Sequence, residues 1–189
     1  MTAGGRRLPR PATPERLEKA AYAYLERFAT SEENLRRVLM RRVERSVRLH
    51  GTDREEGAHA VDAIVARFRA TGLVDDRVYA EGRAISLARR GDSPRLMRRK
   101  LAQKGVEATL IDDTLAGLDE ELGDLALSSA IRLARRRRLG PFRQGDREDR
   151  REKDMAALAR AGFAYDIARQ VIEAEDEAEL DALLAAAGG

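Results

Sequence analysis

Apolar residues along the chain recur at spacings of three and four, and the stripes they form are broken at glycine or proline. No segment shows the period-two alternation of a half-buried strand, so the pattern predicts an all-α protein. Prolines stand only at 9, 11, 14, 94 and 141. Thr13-Pro14-Glu15 supplies an N-cap, a first-turn proline and an acid near the positive helix end, which predicts a first helix to about Phe28. Thr30-Ser31-Glu32-Glu33 has capping-box spacing, with Thr30 reaching the Glu33 N–H and Glu33 reaching back, ahead of a second helix with Leu35, Val38 and Leu39 at core spacing. Thr52 and Glu55 repeat that spacing before a third helix striped by Val61, Ile64, Val65 and Phe68 and stopped near Gly72.

Asp75 or Asp76 caps a fourth helix that ends at Gly91, and Ser93-Pro94 starts a fifth that stops at Gly105. A sixth helix carries Leu110, Ile111, Leu115 and Leu118. A longer seventh has Leu122, Leu125, Ala126, Ser129 and Leu133 on one side and breaks at Gly140-Pro141. An eighth helix ends at Gly162, and a ninth carries Ile167, Val171 and Ile172.

The pattern also repeats. Leu101-Ala102-Gln103-Lys104-Gly105-Val106 matches Leu158-Ala159-Arg160-Ala161-Gly162-Phe163, and the offset that superposes the glycines also places Leu110 over Ile167 and Leu115 over Ile172. Ser31 to Leu39 resembles Ser93 to Leu101, as the start of a more divergent copy. Short helical units of this kind stack on their neighbours. The expected division is a disordered basic leader at 1–12, a divergent first unit at 13–72, a second three-helix unit at 73–118, a third at 119–175, and an acidic, Ala-rich tail at 176–189. A compact globule of this length would have a radius of gyration of about 16 Å, and an elongated array is expected to exceed it.

Composition narrows the chemistry. Of 189 residues 43% are apolar, 4% aromatic and 37% charged, with no Trp, so the core must be mostly Ala and Leu. The absence of Cys excludes disulfides and thiolate chemistry, and a cytoplasmic location is expected. No apolar stretch approaches the roughly 20 residues that cross a bilayer, and the N-terminus lacks the apolar block of a secretion signal. The net charge of +3 hides a segregation: residues 166–189 hold seven acids against Arg169 alone. Positive charge collects at Arg36, Arg37, Arg41, Arg42, Arg45 and Arg48; at Arg89, Arg90, Arg95, Arg98, Arg99, Lys100 and Lys104; and at Arg132 with Arg135, Arg136, Arg137 and Arg138. Such stripes suit a polyanion or an acidic protein surface, unless Asp and Glu three or four residues away neutralise them.

An enzyme would need a nucleophile, base and oxyanion donors, or a metal site, and the sequence offers none of these constellations. His50 and His59 read as solvated loop residues, no phosphate-loop motif is present, and no cofactor is expected. The turns at Gly105 and Gly162 invite a helix-turn-helix reading. The helix after Gly105, however, carries Glu107, Asp112 and Asp113 without a base, and the one after Gly162 has Arg169 against several acids, so neither suits a major groove. Arg95, Arg98 and Arg99 fall instead on one arc of the preceding helix, opposite Met97 and Leu101, where they can contact phosphates without reading sequence.

Taken in order, Gly72-Leu73-Val74-Asp75-Asp76-Arg77-Val78-Tyr79-Ala80-Glu81, Arg89-Arg90-Gly91, Leu101 to Val106 and Leu158 to Phe163 resemble the RecX family of recombinase regulators, over most of residues 30–175. The resemblance implies tandem three-helix repeats in an elongated array with no enzymatic activity. It further implies binding to the RecA recombinase filament on single-stranded DNA, with restraint of filament growth, ATP hydrolysis, strand exchange and co-protease action, and so modulation of DNA repair and recombination. Gly72, Asp75, Asp76, Tyr79, Ala80, Gly105, Gly162 and Phe163 match as structural positions. The stretch from Val43 to Gly57 is longer and more charged than the family's short turn, and the C-terminal end is more acidic. On this reading a concave basic side formed by the arginine clusters meets the filament, single-stranded DNA is a weak, sequence-independent partner, and no membrane is involved. The alternative is a general nucleic-acid-binding helical module.

Overall fold

The computed structural model describes residues 10–187, which contain ten α-helices, two short 3-10 turns and no strand. The helical prediction therefore holds throughout. Residues 1–9 of the expected leader lie outside the described residues; at its end, the Ala12 N–H donates to Ser46 Oγ at 2.9 Å, so the chain is already anchored there. The described residues divide into two compact units, with the boundary between Tyr79 and Ala80.

In the first unit, α1 (Pro14–Leu25), α2 (Glu32–His50) and α3 (Arg54–Ala70) enclose Leu17, Ala21, Leu35, Leu39, Val43, Val61, Ile64, Val65, Phe68 and Val74. Each buried Leu, Val or Phe contributes on the order of 1.5–3 kcal/mol by leaving water. α1 starts at Pro14 after Thr13 as expected, and the starts of α2 and α3 fall one residue later than the sequence expectation. Thr13 makes no side-chain cap; its hydroxyl bonds the Glu15 carboxylate instead and lowers that carboxyl's pKa. The cap of α2 is Ser31, which accepts from the Asn34 N–H, while Thr30 Oγ1 accepts from the Asn34 side-chain amide at 2.6 Å. The cap of α3 is Asp53, accepting from the Glu55 and Glu56 N–H groups, because a carboxylate competes better than the Thr52 hydroxyl, which is committed to Ser46. The charged stretch from Val43 to Gly57 is helix on both sides of Gly51. It packs closely enough that a Cβ on Gly57 would lie 2.5 Å from a Val43 methyl. His50 and His59 accordingly sit on helices, exposed, and not in a loop.

The division between the units falls inside α4 (Asp76–Arg89). It is followed by α5 (Pro94–Gln103), α6 (Ala108–Leu122), α7 (Leu125–Arg137), α8 (Arg151–Arg160), α9 (Tyr165–Glu173) and α10 (Glu177–Ala187). Ser93 caps α5 as expected. The expected continuous helix through Leu122 and Leu125 is broken at Gly123 (φ 76°), and Asp124 caps α7 by accepting from the Leu127 N–H at 2.7 Å. Residues 177–187, expected as a tail, form α10, whose buried Leu180 joins the same core as Leu133, Leu158 and Phe163.

One turn recurs five times among the described residues. A helix ends with the N–H of residue i+5 bonded to the carbonyl of residue i, the next-to-last N–H turning back three residues, and the chain passing through positive φ. The carbonyls belong to Phe68, Leu87, Leu101, Ala134 and Leu158, all buried. The left-handed position is filled by Gly72, Gly91, Gly105, Arg138 and Gly162. This is the helix stop that the Gly105/Gly162 repeat anticipated, and Val106, Leu139 and Phe163 each bury the following side chain. Arg138 (φ 56°) is the non-glycine occupant.

Two glycines do more than terminate. A Cβ on Gly91 would lie 2.6 Å from the Leu133 backbone nitrogen, so α4 ends in contact with the α7 backbone. At Gly162 a Cβ would lie 2.8 Å from Ser93 Oγ, which accepts from the Leu96 N–H and donates to the Ala161 carbonyl at 2.7 Å, tying the start of α5 to the end of α8.

Candidate functional site

Every Arg and Lys of the three clusters lies on a helix or its terminus, and the fold separates them into neutralised and unneutralised sets. On α2, Arg36 pairs with Glu33 at 3.5 Å and with Asp62 across on α3, and Arg37 bonds Glu33 at 2.8 Å. Arg41, Arg42, Arg45 and Arg48 are exposed and have no carboxylate partner among the described residues. Leu35, Leu39 and Val43 occupy the buried face of the same helix, so its 3.6-residue period separates the cations from the core.

On α5, Met97 and Leu101 are fully buried and Arg95, Arg98 and Arg99 exposed, as the helical arc requires. Arg98 pairs with Asp112 of α6, an acid that the sequence left as a solvated residue, and Lys100 pairs with Asp92 at 2.5 Å. Lys104 caps the helix. Arg95 and Arg99 have no carboxylate partner among the described residues. They line a cleft of about 330 Å³ together with Leu96, Ala159, Arg160, Ala161 and Gly162.

At the end of α4, Arg89 and Arg90 are exposed, and the Arg90 carbonyl accepts from the Arg136 guanidinium of α7 at 2.5 Å. That contact brings two of the sequence clusters together within the second unit. Arg135 is engaged elsewhere, with Glu177 at 3.1 Å and over the Phe142 ring at 5.2 Å. Arg137 and Arg138 are exposed without a carboxylate partner among the described residues.

Acidic pairs take structural roles. Asp75 caps α4 through the Arg77 and Val78 N–H groups, while Asp76 accepts from the Glu32 N–H at 2.7 Å at the first turn of α2. Burial raises the Glu32 carboxyl pKa, with the Asp76 carboxylate adding to it; burial likewise raises that of Asp76. Buried Asp154 accepts the Arg143 fork at 3.1 and 2.6 Å and the Gly140 N–H at 3.0 Å, holding the 3-10 turn after α7. Arg147 donates to the Ile172, Ala174 and Glu175 carbonyls and closes the end of α9. Among the described residues no group of three or more His, Asp and Glu could hold a metal ion, and no helix is long and apolar enough to cross a membrane.

Arg160 was missing from the sequence reading of the site. The repeat aligns it with Gln103, an uncharged residue, and its approach to α5 depends on the Ser93–Ala161 bond between residues 68 apart.

This geometry defines a class: a helical-repeat protein whose accessible chemistry is cationic and is presented on helix faces. Residues 75–115 match the family model described as the second three-helix domain of RecX. The Regulatory protein RecX of Myxococcus xanthus (strain DK1622) is 44% identical over 172 residues, covering 89% of this chain and 90% of that protein. That of Chlorobium phaeobacteroides (strain BS1) is 30% identical over 82% of this chain and 93% of its own length. The crystal structure of RecX from Lactobacillus salivarius superposes with a TM-score of 0.60 at 20% identity, over 89% of this chain and 97% of that one. The chain belongs to the RecX family of regulatory proteins.

Proposed function

We propose that the protein is a cytoplasmic, non-enzymatic regulator that binds the RecA recombinase filament on single-stranded DNA. It restrains filament growth, ATP hydrolysis, strand exchange and co-protease activity, and so modulates DNA repair and recombination. Membership of a family of regulatory proteins supports this reading, and the observation that carries it is the set of arginines left without carboxylates on α2, α4, α5 and α7. Arg41 and Arg42 on α2, Arg89 and Arg90 at the end of α4, Arg95 and Arg99 on α5 and Arg137 and Arg138 at the end of α7 are the contact residues, against acidic protein surface and exposed phosphates. Arg36, Arg37, Arg98, Lys100 and Arg135 contribute less because each already faces a carboxylate. The division into units at 72/73 and 118/119 belongs to the same proposal.

Many weak cationic contacts made together give an affinity that collapses with salt. The test is a pull-down on recombinase filaments in a salt series, beside a gel shift on naked single-stranded DNA. Retention on filaments well above that on naked DNA is expected; equal affinity for both would replace this reading with that of a general nucleic-acid-binding module.

A further inference from the structure

The cleft between α5 and the turn after α8 is a built feature that the family assignment leaves without a role. Ser93 Oγ joins the two elements by bonding both the Leu96 N–H and the Ala161 carbonyl, so the walls are held together before any ligand arrives. Gly162 allows this approach, since a Cβ there would meet Ser93 Oγ at 2.8 Å and the Arg95 Cβ at 3.9 Å. Arg95 and Arg99, one turn apart on α5, line one wall, and Arg160, at the end of α8, lines the other.

The lining residues are Arg95, Leu96, Arg99, Ala159, Arg160, Ala161 and Gly162, with no acid among them. None of the three guanidinium groups has a carboxylate partner among the described residues, although their α5 neighbours Arg98 and Lys100 are paired with Asp112 and Asp92. The helix has thus neutralised its other cations and left the cleft positive.

We propose that this cleft binds a phosphodiester of single-stranded nucleic acid, with Arg95 and Arg99 on one side of the phosphate and Arg160 on the other. Three forks reaching in from two helices suit a tetrahedral phosphate, which offers oxygens in several directions, whereas one fork satisfies the two coplanar oxygens of a carboxylate. The floor of Ala159, Ala161 and Gly162 has no aromatic ring on which a base could stack, so the contact holds the backbone and reads no sequence. The inference deepens the proposed function by naming where strand phosphates are held, and it is tested without recombinase, so that the two can fail separately.

The experiment measures binding of the full chain to a fluorescein-labelled oligothymidine by anisotropy over a salt series, for the wild type, Arg160→Gln, the triple variant Arg95→Gln/Arg99→Gln/Arg160→Gln, and Arg54→Gln, a control from the first unit that matches Arg160→Gln in charge. All four substituted arginines are exposed, and unchanged thermal melts establish that the variants fold. The triple variant is expected to bind at least about tenfold more weakly, and to flatten the dependence of log K on log salt by roughly 0.7 for each phosphate released. Arg160→Gln falls between it and the wild type. Affinity and slope equal to those of Arg54→Gln would overturn the proposal. So would loss of polyglutamate binding in the triple variant with oligothymidine binding intact, which would make the cleft an acidic-peptide site. Absence of ATPase inhibition by the wild-type protein would count against the proposed function and leave this result standing.

Discussion

Replacing Gly91 by alanine tests a close approach between the end of α4 and the α7 backbone in the second unit. Gly91 has φ 74°, a conformation that costs an L-residue roughly 1–2 kcal/mol. Its new Cβ would also lie 2.6 Å from the Leu133 nitrogen and 2.9 Å from the Leu133 Cα and Cβ. Those atoms belong to the backbone and root of α7, flanked by buried Ile131 and Ala134, and cannot swing aside as a side-chain tip could. Forcing the helices apart adds about 1–3 kcal/mol of overpacking, so the total is roughly 2–5 kcal/mol. Gly145→Ala in the same unit provides the control: its φ is 93°, but a Cβ would meet nothing within 4 Å, so only the backbone term of about 1–2 kcal/mol applies. At about 4 °C per kcal/mol, Gly91→Ala should lower the melting temperature by roughly 8–20 °C and Gly145→Ala by roughly 4–8 °C, read by circular dichroism. Because the Arg90 carbonyl holds Arg136 next to this contact, the first variant should also weaken filament binding at temperatures where it remains folded. Equal destabilisation by the two substitutions would refute the argument from close approach.

Arg138→Gly places the residue found in the other four turns at a left-handed position, and should raise stability by about 1 kcal/mol in urea unfolding. Asp154→Ala strands the Arg143 guanidinium and the buried Gly140 N–H, and should cost about 3–5 kcal/mol by the same measurement. Glu32 has its folded pKa raised by burial, so the folded state binds more protons than the unfolded one between the two pKa values, and stability is lost as pH rises through that window. Glu32→Gln should therefore gain stability relative to wild type on going from acid to neutral pH; a difference that does not vary with pH would refute this.

The helix stops were legible because they are local. Glycine at Gly72, Gly91, Gly105 and Gly162 announces a left-handed residue, and the apolar residues on both sides of two of them exposed the repeat. The same rule missed the stop at Arg138, where the turn forms on an unfavoured residue because Ala134 and Leu139 are buried around it. The start of α7 was lost because Leu122 and Leu125 continue an apolar stripe across Gly123, so that periodicity outweighed the break. Acidic composition hid α10, in which Leu180, Leu183 and Leu184 keep helical spacing on the core side. At the candidate site, the location of the cations could be read from the sequence but their neutralisation could not. Arg36 and Arg37 meet Glu33 three and four residues away, whereas Arg98 and Arg135 are compensated by Asp112 and Glu177 on other helices, as Arg36 also is by Asp62. Sorting cations into paired and unpaired sets requires the tertiary fold.

In the proposed function, unneutralised arginines of α2, α4, α5 and α7 attach this protein to a recombinase filament and restrain it. The most direct measurement is the rate of ATP hydrolysis by recombinase filaments on single-stranded DNA, titrated with the wild-type protein and with the variant carrying Arg41→Glu, Arg42→Glu, Arg95→Glu and Arg99→Glu. Inhibition by the wild type that weakens steeply with salt, and its loss in the folded variant, is the predicted result. Equal inhibition by both proteins would contradict the account.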